Sequence, residues 1–261
     1  MTVGEALRLA EQRLGAAGVD TPRVDSELLL AHVLGVSRTG VHERRSQEVP
    51  DEFDDLLERR VHREPLAYVL GEWGFRRLTL KTDARALVPR PETEIVVERA
   101  LALLEGTQSP RVLDIGVGSG AIALALKDER PDALVTGVDI SPDALSLAQE
   151  NAALLGIDVT LHLGGVEDAA KSWDLVISNP PYVETLDGLQ PELHHEPGTA
   201  LLGNGLHERI AREAQARFLV LEVGLGQAHD VAGALRANGY RDVAITPDLA
   251  GIERVVEGTR A

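Results

Sequence analysis

Arg111-Val112-Leu113-Asp114-Ile115-Gly116-Val117-Gly118-Ser119-Gly120 reads as a short buried strand that runs into a glycine-rich turn. The turn opens a helix carrying Ile122, Leu124 and Leu126. Glycines after a first strand permit a tight turn and a close backbone approach to a ligand. The helix N-terminus behind them favours an anionic group. The spacing is Gly-X-Gly-X-Gly, which alone is compatible with several nucleotide-like ligands.

Downstream the alternation continues. Leu134 to Val138 forms a second strand ending in Asp139, and Ser141-Pro142 caps and starts the next helix, with Leu145, Ala148, Ala152 and Leu155 inward. Val159–Leu163 and Leu175–Ile177 are the third and fourth strands, and Phe218–Val223 follows after a helix. Val243–Ile245 and Ile252–Val256 close the pattern. Such alternation predicts an α/β fold with a parallel sheet covered on both faces. Asp139 lies about twenty residues beyond the glycines, where a ribose hydroxyl partner belongs. A helix-cap acid is the plainer reading of the same residue.

The fourth strand ends in Ile177-Ser178-Asn179-Pro180-Pro181-Tyr182. Two prolines remove two backbone donors and fix two φ angles, so the ladder stops there. What remains is a stiff corner of acceptors: the Asn179 side-chain oxygen and the carbonyls of Asn179, Pro180 and Pro181. It suits a planar NH2 group, with Tyr182 packing on the flat group that carries the nitrogen. A strand-ending turn is the plainer reading. The first, second and fourth strands deliver Gly116–Gly120, Asp139 and Asn179–Tyr182 to one sheet edge, where ligands of open α/β sheets bind.

Ahead of this lies a different pattern. Val3, Leu7, Ala10 and Leu14 make one helical face, with Gly15 and Gly18 ending it. Thr21-Pro22 starts a helix that stops at Gly35, and Pro50-Asp51 opens another. Residues 1–72 are expected to be a small helical bundle for recognition, or a purely structural cap. Leu78, Leu80 and Leu87-Val88 suggest the strands of a linking hairpin over 73–88, and 89–261 the α/β domain. The segment Leu87-Val88-Pro89-Arg90-Pro91-Glu92-Thr93-Glu94 is extended by its prolines, then starts a helix at Pro91 or Thr93.

Composition sets bounds. The 261 residues are 44% hydrophobic and 26% charged, as in an ordinary globular protein. The net charge of −16 disfavours direct nucleic acid binding. There is no cysteine, which excludes disulfides and thiolate metal sites and fits the cytoplasm. The eight histidines show no metal spacing, so no metal is expected. No apolar run reaches membrane-spanning length, and the first residues lack a signal-peptide pattern, so no membrane association is expected.

The combination of Val112–Gly120, Asp139, Asn179-Pro180-Pro181-Tyr182 and Leu87–Glu94 closely resembles the HemK/PrmC family. Ala17-Gly18-Val19, Asp25–Leu30 and Pro65–Gly71 extend the resemblance over nearly the whole chain. It implies a helical N-terminal domain, a hairpin, and a Rossmann-like class I methyltransferase domain with a seven-stranded, mostly parallel sheet. It implies methyl transfer from S-adenosylmethionine, leaving S-adenosylhomocysteine. The acceptor it implies is the glutamine side-chain nitrogen (N5) in the Gly-Gly-Gln motif of peptide chain release factors. Asn179, Pro180, Pro181 and Tyr182 are then the expected catalytic residues. Gly116, Val117, Gly118, Ser119, Gly120, Asp139, Val166, Asn179 and Thr93 are expected at the cofactor. Gly165 and Val166 stand where the family often has an acidic and an aromatic residue, so adenine is expected to meet backbone or apolar groups. The hairpin carries Arg77 and Leu80 in place of the usual Gly and Phe, and Gly203–Leu206 looks shortened. Alternatives are a ribosomal-protein glutamine methyltransferase, a nucleic-acid amino-group methyltransferase, and a cofactor-binding protein without transferase activity.

Overall fold

A computed structural model of the chain describes residues 1–183, 185, 188–203 and 205–260. Glu184, Leu186, Asp187 and Asn204, within the polar loop expected from Glu184 to Gly205, lie outside the described residues, as does Ala261. The chain divides into two compact units, Met1–Glu72 with Leu189–His195, and Trp73–Gly188 with Glu196–Ala261.

The first unit is helical: α1 (Val3–Ala16), α2 (Pro22–Leu34), α3 (Arg38–Glu43), α4 (Glu52–Val61) and α5 (Leu66–Leu70). Thr2 and Glu5 form a reciprocal capping box at the start of α1. Gly15 lies inside α1, and the chain turns at Gly18, whose φ is +75°. Phe53, Leu57, Leu14, Leu29 and Leu30 are fully buried and form its core. A charged set, buried at Asp25 and Arg60 and half-buried at Arg63 and Glu192, lies beside them. Arg60 donates to Asp25 at 2.7 Å and to Glu192 at 2.9 Å, and Arg63 donates to both oxygens of Glu192. These bonds hold the 3-10 turn Pro191–His195 to this unit. Part of the expected loop is therefore ordered on the helical unit, because Glu192 supplies the acceptors that two arginines need.

A two-stranded hairpin follows, β1 (Glu72–Phe75) and β2 (Leu78–Lys81). Its turn is made by Arg76, at φ +51°, and Arg77. The expected strand at Leu87-Val88 is not formed. The Val88 N–H goes instead to the Glu196 carboxylate at 3.1 Å, and Pro89 has no donor to offer a ladder.

The rest is α6 (Thr93–Leu103), β3 (Arg111–Ile115), α7 (Ala121–Glu129), β4 (Leu134–Asp139), α8 (Pro142–Leu155), β5 (Thr160–Leu163), β6 (Ser172–Ser178), α9 (Gly198–Leu201), α10 (Leu206–Glu213), β7 (Gln215–Glu222), α11 (Ala228–Ala237), β8 (Arg241–Pro247) and β9 (Glu253–Thr259). The sheet has seven strands in the order β5-β4-β3-β6-β7-β9-β8. Strands β3 to β7 are parallel, and β9 is antiparallel to both β7 and β8. This matches the seven-stranded, mostly parallel sheet that the resemblance implied.

The register sets the site. Ile115 pairs with Val138 and Ser178, and Ser178 pairs with Leu221. Gly116, Asp139, Asn179 and Glu222 therefore emerge along one edge. Chain order reverses between β3 and β6, which makes this the switch point of the sheet. Leu175 and Ile177 pack into one face of the core and Val176 into the other, all fully buried. Burial on both faces is why β6 reads as an unbroken apolar run.

Candidate functional site

The glycine turn folds back on the sheet. The N–H groups of Gly116 and Val117 both donate to the Val138 carbonyl at 2.9 Å. Gly116, Gly118 and Gly120 have φ of +75°, +55° and +90°, conformations that L side chains rarely adopt. A Cβ at Gly116 would meet nothing within 4 Å, so that position is open. A Cβ at Gly120 would lie 2.9 Å from the Leu124 side chain, so this glycine serves the turn and the packing behind it.

Asp139 joins the glycine turn to the residue that caps α8. One carboxylate oxygen accepts from the Gly118 N–H at 3.0 Å and the other from the Ser141 N–H at 2.9 Å. The Ser141 hydroxyl in turn caps α8 at Ala144. Asp114 lies fully buried behind the glycines and accepts from the Ala123 N–H in α7 at 3.1 Å. Its other oxygen has no partner among the described residues. Burial pushes its carboxyl up to about 7 against the Ala123 hydrogen bond, and the charge of Asp139 adds to the rise.

These residues surround a cavity of about 380 Å³. Gly116, Val117, Gly118, Ser119, Asp139 and Val166 line it, as do Thr93, Asn179, Pro180 and Pro181. Gly120 and Tyr182 are not part of its wall. Ile140, 70% exposed, lines it beside Asp139, and Gly164 and Gly165 stand near Val166. The wall thus joins apolar surface, glycine backbone and charged residues, Asp139 and Glu167 with Arg85, Arg90 and Arg209. That donor set suits a ligand carrying vicinal hydroxyls and a flat ring, as the expected cofactor does.

The proline corner is braced from several sides. The Asn179 side-chain N–H donates to the Thr93 hydroxyl at 3.2 Å, and that hydroxyl donates to the Glu222 carboxylate at 2.7 Å. Gln227 donates to the Tyr182 carbonyl at 3.1 Å and accepts from the Gly224 N–H at 3.1 Å. Gly224 lies against the Tyr182 ring, where a Cβ would come within 2.9 Å. The Tyr182 hydroxyl is pushed up to about 12 by burial and by the neighbouring Glu222 charge. Gly203 lies against the Pro181 carbonyl.

Four further residues shape this environment, and of these only Glu196, the start of the Glu196–Leu201 stretch that the family resemblance includes, belongs to a motif. Glu196, its side chain fully buried, accepts from the Val88 N–H and the Arg90 guanidinium. It ties the start of the loop before α9 to the segment before α6. His207 in α10 donates to the Glu222 carbonyl at 2.8 Å, and burial lowers its pKa. Gln227 is the third. Glu222 is the fourth, fully buried at the end of β7, and a charged residue inside the apolar run Phe218–Val223 was its one sequence signal. Among the described residues no group of three His, Asp or Glu side chains could hold a metal ion, and no helix is long and apolar enough to cross a membrane.

Comparison with known proteins adds the following. The family model of the PrmC N-terminal domain matches residues 5–71, and that of the methyltransferase small domain matches residues 94–234. A release factor glutamine methyltransferase of Deinococcus radiodurans is 43% identical, covering 100% of this chain and 99% of its own length. One of Caulobacter vibrioides is 37% identical, covering 100% and 97%. Among solved structures, the hMettl16 catalytic domain in complex with MAT2A 3′UTR hairpin 1 superposes with a TM-score of 0.59 at 15% identity. It covers 79% of this chain and 81% of that one, a likeness of fold alone.

Proposed function

We propose that this chain, which belongs to the family of release factor glutamine methyltransferases, transfers a methyl group from S-adenosylmethionine to a glutamine side-chain nitrogen (N5). The glutamine is that of the Gly-Gly-Gln motif in peptide chain release factors. The observation that carries this reading is that Asn179 lines the same cavity as Gly116, Gly118 and Asp139. A nitrogen held at the proline corner is then next to a ligand held by the glycine turn.

Each Asp139 oxygen already accepts one N–H, and each has a further lone pair for a ribose hydroxyl. Gly116, Val117, Gly118 and Ser119 let the ligand approach the backbone, and Gly120 sets their turn. Val166 and Ile140 give the adenine an apolar slot, which replaces the acidic and aromatic pair. Thr93 lines the cavity with its hydroxyl committed to Glu222. Bound S-adenosylmethionine supplies an electrophilic methyl on a sulfonium.

The chain's own part is orientation. An amide nitrogen is a poor nucleophile because its lone pair is delocalised into the carbonyl. Asn179 and the Pro180 carbonyl accept its two N–H bonds, which fixes the nitrogen in line with the methyl and raises its electron density. Pro180 and Pro181 have no N–H to compete for those acceptors. Tyr182 packs on the glutamine side chain. After transfer the nitrogen loses its proton to water.

The test is methyl transfer from labelled S-adenosylmethionine to purified release factor, beside a variant with the Gly-Gly-Gln glutamine changed to Ala. Label on the first and none on the second supports both substrate and site. Label on neither, with cofactor binding intact, sinks the reading and directs the search to ribosomal proteins.

A further inference from the structure

Glu222 is a buried acid that the reaction described above does not use. Both it and Thr93 are almost completely shielded, at 0% and 4% exposure. One carboxylate oxygen accepts from the Thr93 hydroxyl at 2.7 Å. The other has no hydrogen-bond partner among the described residues. A charged side chain left half satisfied in a core is costly. β7 itself is held by its backbone pairing to β6 and β9, and the Arg254 and Arg90 charges offset only part of the burial.

What the carboxylate does is set a direction. A hydroxyl has one proton. Thr93 gives it to Glu222, so Thr93 can only accept from its other neighbour. That neighbour is Asn179, whose side chain therefore turns its N–H toward Thr93, at 3.2 Å. The oxygen of the same amide is then left for the cavity that Asn179 lines. An ionised Glu222 is acceptor-only and permits no other arrangement. In the neutral acid the order persists when the acid proton sits on the oxygen that has no partner, and can reverse when it sits on the oxygen facing Thr93.

We propose that Glu222 is a positioning residue which, through the Thr93 hydroxyl, fixes the orientation of the Asn179 amide so that its oxygen faces the target nitrogen. This rests on the methyl-transfer reading above. Reversal of the amide would present a donor to a donor, so the target would be repelled instead of held. Thr93 and Glu222 act as one device, although 129 residues separate them in the chain.

The experiment compares wild type, Thr93→Ser, Thr93→Val, Glu222→Leu and the Thr93→Val/Glu222→Leu pair. The readouts are methyl-transfer kinetics on release factor, binding of S-adenosylhomocysteine, and hydrogen exchange of the Asn179 side-chain amide by 15N NMR. T93S keeps the hydroxyl and restores most of the kcat that T93V loses. T93V and E222L lose kcat by roughly ten- to hundredfold, the usual effect of removing an outer partner that orients a working group. They retain S-adenosylhomocysteine binding. One Asn179 amide proton exchanges slowly in wild type and T93S and fast in T93V. Where T93V does not fold because it strands the carboxylate, the T93V/E222L pair removes both hydrogen bonds and the charge, and its kcat falls as in E222L. Wild-type kcat in T93V, E222L or the pair overturns the proposal. So does unchanged amide exchange in the folded variant lacking the hydroxyl. Inactive wild type, with slow Asn179 exchange still dependent on the hydroxyl, counts instead against the methyl-transfer reading.

Discussion

Gly203 lies directly over the carbonyl of Pro181, so close that a Cβ on Gly203 would stand 2.2 Å from the Pro181 oxygen. The contact is part of a local lacing. Val183 donates to the Leu201 carbonyl at 3.0 Å and Gly203 to the Val183 carbonyl at 3.2 Å. The residues just after the proline corner are thus bound to the segment that carries Leu202, itself part of the cavity wall. No side chain is tolerated at 203 unless these two segments part. Gly203→Ala is expected to lower kcat/KM for release factor by about tenfold or more, since small misplacements at a positioning site cost rates of that order. Steady-state methyl transfer measures it, and a wild-type kcat/KM would show that the lacing does not position the corner.

Asp139 joins the glycine turn to the start of α8 through its two accepted N–H bonds. Asp139→Asn keeps the shape and replaces one acceptor by a donor. That donor faces an N–H group and also withdraws a lone pair from the ribose. Cofactor affinity is expected to fall by about 2 kcal/mol, within the range for a hydrogen bond to a charged group. Calorimetric titration with S-adenosylhomocysteine reads this directly. An unchanged Kd would assign Asp139 to capping alone.

Glu196 is the acceptor for two donors that come from 106 and 108 residues away, Arg90 and Val88. Glu196→Ala strands a buried backbone N–H and removes the partner of a half-buried guanidinium. The expected loss is about 2–4 kcal/mol of stability, from one unsatisfied buried donor and one broken charge-assisted bond. Urea unfolding followed by circular dichroism would detect it. A loss below about 0.5 kcal/mol, as at ordinary surface sites, would mean that the loop before α9 is held by other contacts.

The α/β alternation was legible because β3, β4 and β6 are bounded by strong punctuation: the glycine turn, Ser141-Pro142 and two prolines. The convergence of Gly116, Asp139 and Asn179 followed from strand order alone. The hairpin was misplaced because its turn is Arg76-Arg77, and an arginine at φ +51° gives no compositional signal. Leu87-Val88 looked like a strand because nothing local reveals that the Val88 N–H is met by a side chain from residue 196. The same holds for Arg60, Arg63 and Glu192, whose pairing places residues 189–195 with the helical unit. Long-range side-chain bonds of this kind leave no periodicity. Glu222 was visible as a charge in an apolar strand, but its partner Thr93 was read only as a helix start and a cofactor contact.

Glu222 also gives a dependence of stability on pH whose sign is set by burial. Its carboxyl is raised from the ordinary 4.5 to about 7, chiefly by desolvation, with the Thr93 hydrogen bond and the Arg254 and Arg90 charges opposing and Glu92 reinforcing. Between those values the folded chain keeps a proton that the unfolded chain has lost, so this group's contribution to stability falls as pH rises. Asp114, raised from 3.8 to about 7, acts in the same direction. His207 acts the other way, since its pKa is lowered from 6.5 and stability is lost as pH falls below that. The difference between Glu222→Gln and wild type cancels the other groups, because glutamine stays neutral throughout. E222Q is expected to gain stability relative to wild type between pH 5 and pH 8 by about 1–3 kcal/mol, a pKa unit being worth about 1.4 kcal/mol. Any fixed cost of the new N–H at the unpartnered oxygen's position is the same at both pH values. Paired urea titrations at the two pH values measure the change, and a difference that does not grow with pH would place the Glu222 carboxyl in the ordinary range.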